Sequence, residues 1–287
     1  MKRLLLLSGK GGTGKTTTAA AFIRFAEAKA FADCDVDAPN LHLLQEISTE
    51  PEEKDFFGGE KAAIQEDLCT GCGLCTENCR FHAIQNLGDR YAVDAVSCEG
   101  CGVCEYICPA KAIALHSDAA GKQLLYREQA VFSTAKLKMG RGNSGKLVTD
   151  VKMSLLKNAP ECPLAVIDGS PGIGCPVIAS VSGMDLALVV AEPSKSGISD
   201  LQRLVKTAGT LQTKLAVCVN KWDISPENTE KIQAFCQESE IPFLGKIPYD
   251  PQASRAVNAG RSIADLDCPA RDALYSIYQK TSALLGI

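Results

Sequence analysis

The chain has 287 residues, 46% hydrophobic and 22% charged, with a formal net charge of −4. That balance suits a folded protein with a substantial core and excludes low-complexity disorder and collagen-like repeats. An acidic total also argues against a nucleic-acid binder driven by bulk positive charge.

In chain order, the apolar run 4–7 predicts a buried strand, followed by a Gly-rich turn and a helix over about 15–27. The start Met1-Lys2-Arg3 before that run resembles a signal peptide only superficially. The run leads directly into Ser8-Gly9-Lys10-Gly11-Gly12 with no cleavage site. A short strand at Phe31-Ala32 precedes Asp33, without the glycine expected between helix and strand. Apolar strands follow at 164–167, 186–191 and 215–219, ending at Asp168, Glu192 and Asn220-Lys221. Helices are expected at 146–158, 197–211, 226–239 and 269–285. Strands separated by helices imply an α/β protein with a mostly parallel sheet covered on both faces.

A cysteine-rich repeat interrupts this alternation. Cys69-Thr-Gly-Cys-Gly-Leu-Cys-Thr-Glu-Asn-Cys79 and the five residues after it recur 29 positions later, from Cys98 to Ile113. Eight of the 16 aligned positions are identical. Gly58-Gly59 marks the entry to this insertion and the stretch 118–121 its exit. The expected organisation is one domain of 1–57 and 119–287, with 58–118 inserted. About 70 residues between Asp35 and Asp168 remain outside the insertion, room for two further α/β units.

Gly9-Lys10-Gly11-Gly12-Thr13-Gly14-Lys15-Thr16-Thr17 contains G-x-x-x-x-G-K-[ST] between a strand and a helix, the context of a phosphate loop. Glycines let backbone N–H groups converge on phosphate, and the helix N-terminus adds positive potential. Lys15 is expected at the β- and γ-phosphates, and the Thr16 hydroxyl on Mg²⁺.

With its second lysine, the loop resembles that of the MinD, ParA and nitrogenase-iron-protein superfamily of P-loop ATPases. The resemblance implies that Lys10 crosses a dimer interface to contact phosphate in the partner's site, although a solvated lysine would fit the spacing equally. Asp33-Cys-Asp35-Val-Asp37-Ala-Pro-Asn40 is similar to the family's switch I, where Asp35 would orient the attacking water. Asp168-Gly-Ser-Pro-Gly172 is similar to Walker B and switch II. There Asp168 would hold Mg²⁺ and the Gly172 N–H would sense the γ-phosphate. Asn220-Lys221-Trp222-Asp223 and Pro248 would frame the base. Family context implies ATP, while Asn-Lys-x-Asp is also the guanine-reading motif of GTPases.

Cys-x2-Cys-x2-Cys-x3-Cys occurs twice, the spacing of bacterial two-cluster ferredoxins, whose fourth cysteine serves the other cluster. The resemblance implies two [4Fe–4S] clusters. One would be held by Cys69, Cys72, Cys75 and Cys108, the other by Cys98, Cys101, Cys104 and Cys79. Zinc is the competing metal. Arg80 stands where a proline is expected, either solvated or raising a cluster's potential. Cys175 lies seven residues after Asp168, the offset of a cluster ligand in the nitrogenase iron protein, but its second ligand has no cysteine counterpart here. The basic stretch Lys136, Lys138, Arg141, Lys146 and Lys152 could face nucleotide, a dimer partner or an acidic redox protein, or be simply solvated.

Taken together, the resemblances imply a cytoplasmic, ATP-hydrolysing iron–sulfur protein that couples a nucleotide-driven dimer switch to electron transfer. The dimer would be a homodimer or pair with a paralogue, and the client would be a redox or metallocofactor protein. A cluster-assembly or carrier ATPase and a redox-sensing, MinD-like positioning switch remain as alternatives. The C-terminal helix is poor in cations, so neither a membrane nor a nucleic-acid partner is expected.

Overall fold

The computed structural model describes residues 1–287. Eleven strands are β1 (Lys2–Leu7), β2 (Ala30–Asp33), β3 (Glu52–Ile64), β4 (Ile84–Asn86), β5 (Tyr91–Val93), β6 (Ile113–Arg127), β7 (Val131–Leu137), β8 (Leu164–Asp168), β9 (Leu186–Ala191), β10 (Lys214–Asn220) and β11 (Phe243–Ile247). Nine α-helices are α1 (Lys15–Phe25), α2 (Leu74–Glu77), α3 (Val103–Ile107), α4 (Ser144–Asn158), α5 (Cys175–Val181), α6 (Lys195–Thr210), α7 (Pro226–Glu238), α8 (Pro251–Asn258) and α9 (Pro269–Leu285). The chain divides into two compact units. One comprises Met1–Glu53, Gln123–Lys136 and Gly145–Ile287; the other comprises Lys54–Lys122 and Leu137–Ser144.

The larger unit is built on parallel strands. The sheet runs β11-β10-β9-β1-β8-β2-β7-β6-β3, and β1 pairs in parallel with both β8 and β9. The order reverses around β1, so its C-terminal end is a switch point, where open α/β sheets bind ligands. Leu4 to Leu7 are all fully buried, as a strand covered on both faces requires. Leu4 and Leu6 join Phe22 of α1 and Leu274 and Ile277 of α9 in one core. The period-2 rule sends Leu5 and Leu7 to the opposite face.

The segment between Asp35 and Asp168 differs from expectation. In place of two α/β units it holds β7, which is parallel to β2, the helix α4, and lengths of β3 and β6. Residues 128–130 join β6 to β7, a connection short enough only for an antiparallel hairpin. Gly58-Gly59 and 118–121 lie inside β3 and β6. A Cβ on Gly58 would stand 2.9 Å from the Ala120 Cβ, so this glycine marks a close approach of two strands rather than a turn. The elements β11, α5 and α8 were also missing from the expected set. Each is short and lacks a long periodic run.

Around its cysteines the smaller unit buries only Ala62, Ala83, Cys98 and Ile113 as a cluster. So small a core contributes little hydrophobic stabilisation of its own. The hairpin β4–β5 pairs Ile84 with Val93.

Lys152 corrects the reading of the basic stretch. It is 7% exposed, and its Nζ donates to the carbonyls of Ala179, Ser180 and Ser182 at 2.6, 2.9 and 2.5 Å. It caps the end of α5 and is not a solvated surface cation. Burial pushes its pKa down to about 8.

The turn between α1 and β2 lacks glycine because Glu27 takes the left-handed conformation itself, at φ 45°. Its neighbour Ala28 donates N–H to Ile23 C=O at 2.9 Å, closing the helix end. A side chain in that region is strained. We therefore expect Glu27→Gly to stabilise the protein by about 0.5–1 kcal/mol. The urea midpoint should rise at unchanged m-value.

Candidate functional site

In the larger unit, the end of β1 opens into a cavity of about 490 Å³ whose wall includes Lys10 to Thr18, Asp35, Asn220, Lys221 and Pro248. Gly14 caps α1 at φ 92°, and a Cβ there would stand 2.3 Å from Asn220 Nδ2. Only glycine permits this turn against that amide. The Thr13 side chain, 3% exposed, holds a buried Oγ1 without a hydrogen-bond partner. An orphaned hydroxyl in a phosphate-loop wall fits a polar ligand.

Beneath the loop, Lys15 Nζ donates to Asp168 Oδ1 and Thr16 Oγ1 to Asp168 Oδ2, both at 2.6 Å. Burial works against the Lys15 ammonium, yet Asp168, helped by Asp33 and Asp35, holds its pKa above the ordinary lysine value. Thr16 and Asp168 together present the hydroxyl and carboxylate oxygens that a hard cation such as Mg²⁺ takes.

Asp35 lines the cavity, and burial raises its pKa against the pull of Lys15. The loop carrying it hangs from Asp33, whose role the sequence did not disclose. Asp33 Oδ1 accepts the N–H of Asp35, and Oδ2 accepts those of Asn40 and Leu41, each at 2.9 Å. Burial and nearby Asp168 push the Asp33 pKa up to about 7, against these donors and Lys15. A second tie is Cys34 N–H to Asp168 C=O at 2.8 Å. Burial pushes the Cys34 thiol up, out of thiolate chemistry.

Other expected residues are placed differently. Gly9 is outside the cavity wall, where a Cβ would stand 2.2 Å from the Asp200 Cβ of α6. Its smallness serves helix packing. Gly172 also lies off the wall, its N–H donated to Ser8 C=O at 3.1 Å, and Pro171 lines the cavity instead. Lys10 Nζ pairs with Glu192 at 2.6 Å within its own chain. Asn220 Nδ2 donates to Thr13 C=O at 2.8 Å, while its Oδ1 accepts Lys221 N–H at 2.9 Å. Asp223 accepts the Tyr249 N–H at 2.7 Å. Beyond Pro248 the wall comes from β11, α8 and α9 and is mixed, with Ile247, Val257 and Leu274 beside Asp250, Ser254 and Asn258. Of these elements the sequence pattern predicts the C-terminal helix without placing it at the cavity, and predicts neither β11 nor α8.

In the smaller unit, the eight repeat cysteines line two separate hollows. One is walled by Cys69, Cys72, Cys75 and Cys108. The other is walled by Cys79, Cys98, Cys101 and Cys104. In each, three cysteines come from one run and the fourth from the other. Backbone N–H groups of Ala83 and Ala112 point at Cys79 and Cys108 Sγ, both at 3.3 Å. No three His, Cys, Asp or Glu side chains converge closely enough to hold a single metal ion. Four thiols around a hollow with N–H donors to sulfur fit a multi-iron cluster better than one zinc. Cys175 is exposed and opens α5.

Residues 4–263 match the family described as the CobQ/CobB/MinD/ParA nucleotide binding domain, and the chain belongs to that family. The protein MJ0578 of Methanocaldococcus jannaschii, itself uncharacterised, is 31% identical over 97% of this chain and 95% of its own length. A cytosolic Fe–S cluster assembly factor, the Nubp1 homologue of Drosophila grimshawi, is 41% identical over 63 residues, 22% of this chain and 20% of its own. In fold, the Pyrococcus furiosus cell division ATPase MinD superposes with a TM-score of 0.59 at 17% identity, covering 99% of this chain and all of that one. No helix is long and apolar enough to cross a membrane.

Replacing Lys15 by Met leaves the Asp168 carboxylate buried without its cation. We expect a loss of about 3 kcal/mol in stability of the nucleotide-free protein, read by thermal unfolding. Nucleotide binding should vanish in calorimetric titration.

Proposed function

We propose that the protein binds and hydrolyses ATP with Mg²⁺, and that its nucleotide state in a dimer governs electron transfer through two [4Fe–4S] clusters. The observation that carries this reading is the pair of four-cysteine hollows, built within a chain whose other unit has a phosphate-loop cavity. When bound, the clusters supply one-electron redox chemistry. The residues that would hold them are Cys69, Cys72, Cys75 and Cys108, and Cys79, Cys98, Cys101 and Cys104.

On ATP binding, Lys15 exchanges Asp168 for the β- and γ-phosphate oxygens, and Thr16 and Asp168 hold Mg²⁺. Asp35 orients water for in-line attack and accepts its proton as the bond from the γ-phosphorus to the bridging oxygen breaks. The amides of the Gly11–Gly14 stretch and of Thr16 and Thr17 surround the phosphates. Lys10 leaves Glu192 and reaches the phosphates of a partner chain, identical or paralogous. Asn220 and Lys221 hold the loop in place, and Pro248 stands against the base.

A second reading, delivery of a cluster to another protein, is favoured by the likeness to the Nubp1 homologue. Anaerobic protein with ATP or ADP separates the two. Electron transfer predicts nucleotide-dependent potentials and clusters that resist chelators, whereas delivery predicts rapid cluster loss to an apo-protein. A nucleotide effect on neither sinks the coupling.

For hydrolysis, Asp35→Asn should keep ATP affinity within a few-fold while turnover falls by about 10²-fold or more, measured as phosphate release. Lys10→Ala should likewise bind ATP without hydrolysing it; unchanged turnover would remove its cross-subunit role.

A further inference from the structure

The two cysteine hollows are related by the 29-residue repeat, and the relation extends beyond the cysteines. Gln65 N–H donates to Ala112 C=O and Asp94 N–H to Ala83 C=O, both at 2.7 Å. His82 and Lys111, also 29 apart, both have φ 51°. With the scaffolds so alike, a difference between the halves becomes a property of one hollow.

Lys61 and Arg90 are such a difference, occupying equivalent positions 29 residues apart. Half-buried Lys61 donates to the carbonyl of Cys98, and the next residue, Ala62, donates N–H to Cys98 Sγ at 3.5 Å. Arg90 is instead turned to Glu66 at 3.5 Å, with side chains 56% and 63% exposed. The Cys98 hollow thus has a cation on a ligand's own peptide and two N–H···S contacts, from Ala62 and Ala83. The Cys69 hollow has a charge-neutral pair and one such contact, from Ala112.

Other charges do not reverse the difference. The one half-buried carboxylate beside the Cys98 hollow is Asp94, where the other half has Gln65; its oxygens accept Val96 N–H at 3.0 Å and Ser97 Oγ–H at 2.6 Å, so its charge is turned to these local donors. Glu99 and Glu105 by the Cys98 hollow are exposed, as are Arg80, Asp67, Glu77 and Lys111, so water and salt screen them. Arg141, which donates to Ala95 C=O, is matched by Asp118 at 2.8 Å. A cluster becomes more negative on reduction, so a nearby cation and N–H···S donors favour its reduced form.

Resting on the reading that both hollows hold [4Fe–4S] clusters, we propose that Lys61 makes the cluster of Cys79, Cys98, Cys101 and Cys104 the more readily reduced. When both clusters are bound, one electron from an external low-potential donor, thereby oxidised, would reduce that cluster and leave the other oxidised. Lys61 acts as a positioning residue, setting the order of the two potentials and hence the direction of flow.

The test uses full-length protein loaded anaerobically with iron and sulfide, titrated potentiometrically with dithionite and followed by electron paramagnetic resonance. Two one-electron steps are expected. In Lys61→Gln the upper potential should fall by at least a tenfold change in equilibrium constant, about 59 mV for one electron, with the lower potential unmoved. Lys61→Arg should restore the upper value, and Arg90→Gln should shift neither. Lys61→Met, which keeps the apolar stem, is the second variant if the amide disturbs the loop. An unmoved upper potential, or a shift in the lower one, overturns the proposal while leaving the cluster reading intact. Failure to bind about eight irons per chain overturns both, and is read from iron content before any potential is measured.

Discussion

Asp168 is the carboxylate on which the nucleotide unit converges. Fully buried at the end of β8, it receives Lys15 and Thr16 from the phosphate loop, while its carbonyl receives Cys34 from the second loop. A buried charge is tolerated only when paired and hydrogen-bonded, so the loops lean on this residue and on each other. In the proposed nucleotide-bound state Mg²⁺ would take the place of the Lys15 ammonium at Asp168 while Lys15 pairs with phosphate, so each charge would keep a partner. Switching in such a site is an exchange of partners.

The cysteine unit depends on a different constraint. Its buried cluster is too small to hold a fold by hydrophobic contact alone, and its eight thiols surround two hollows in place of a core. Here the chain's contribution is to set spacing and aim N–H groups at sulfur. Electrostatic differences between the halves then fall on a few residues such as Lys61 and Arg90, because the scaffold itself is nearly repeated.

How much of this was legible follows from the strength of local signals. The strand at Leu4 to Leu7, the glycine loop and the cysteine runs were readable because each is dense with residues of one physical character. The loop register was readable too: Asp35, Lys10 and Thr13 to Thr17 all reach the cavity wall. Asp33 was not, since its task is to accept three backbone N–H groups, which no side-chain motif reports. Gly58-Gly59 lies inside a strand because glycine marks close strand packing as well as turns. Pro248 was readable at the cavity wall, but β11 and α8 were not, since both are short and their packing is decided by distant partners. Lys152 shows the same limit from the other side: a lysine among lysines, distinguished only by the helix end it happens to cap.

Asp223 carries a last consequence. Its carboxylate braces the Tyr249 amide, joining the end of β10 to the loop after β11. In a chain where Asn220-Lys221-Trp222-Asp223 spells the guanine-reading tetrapeptide, one oxygen of its last residue is engaged by backbone. The tetrapeptide therefore has a structural task at this corner whichever base the cavity takes.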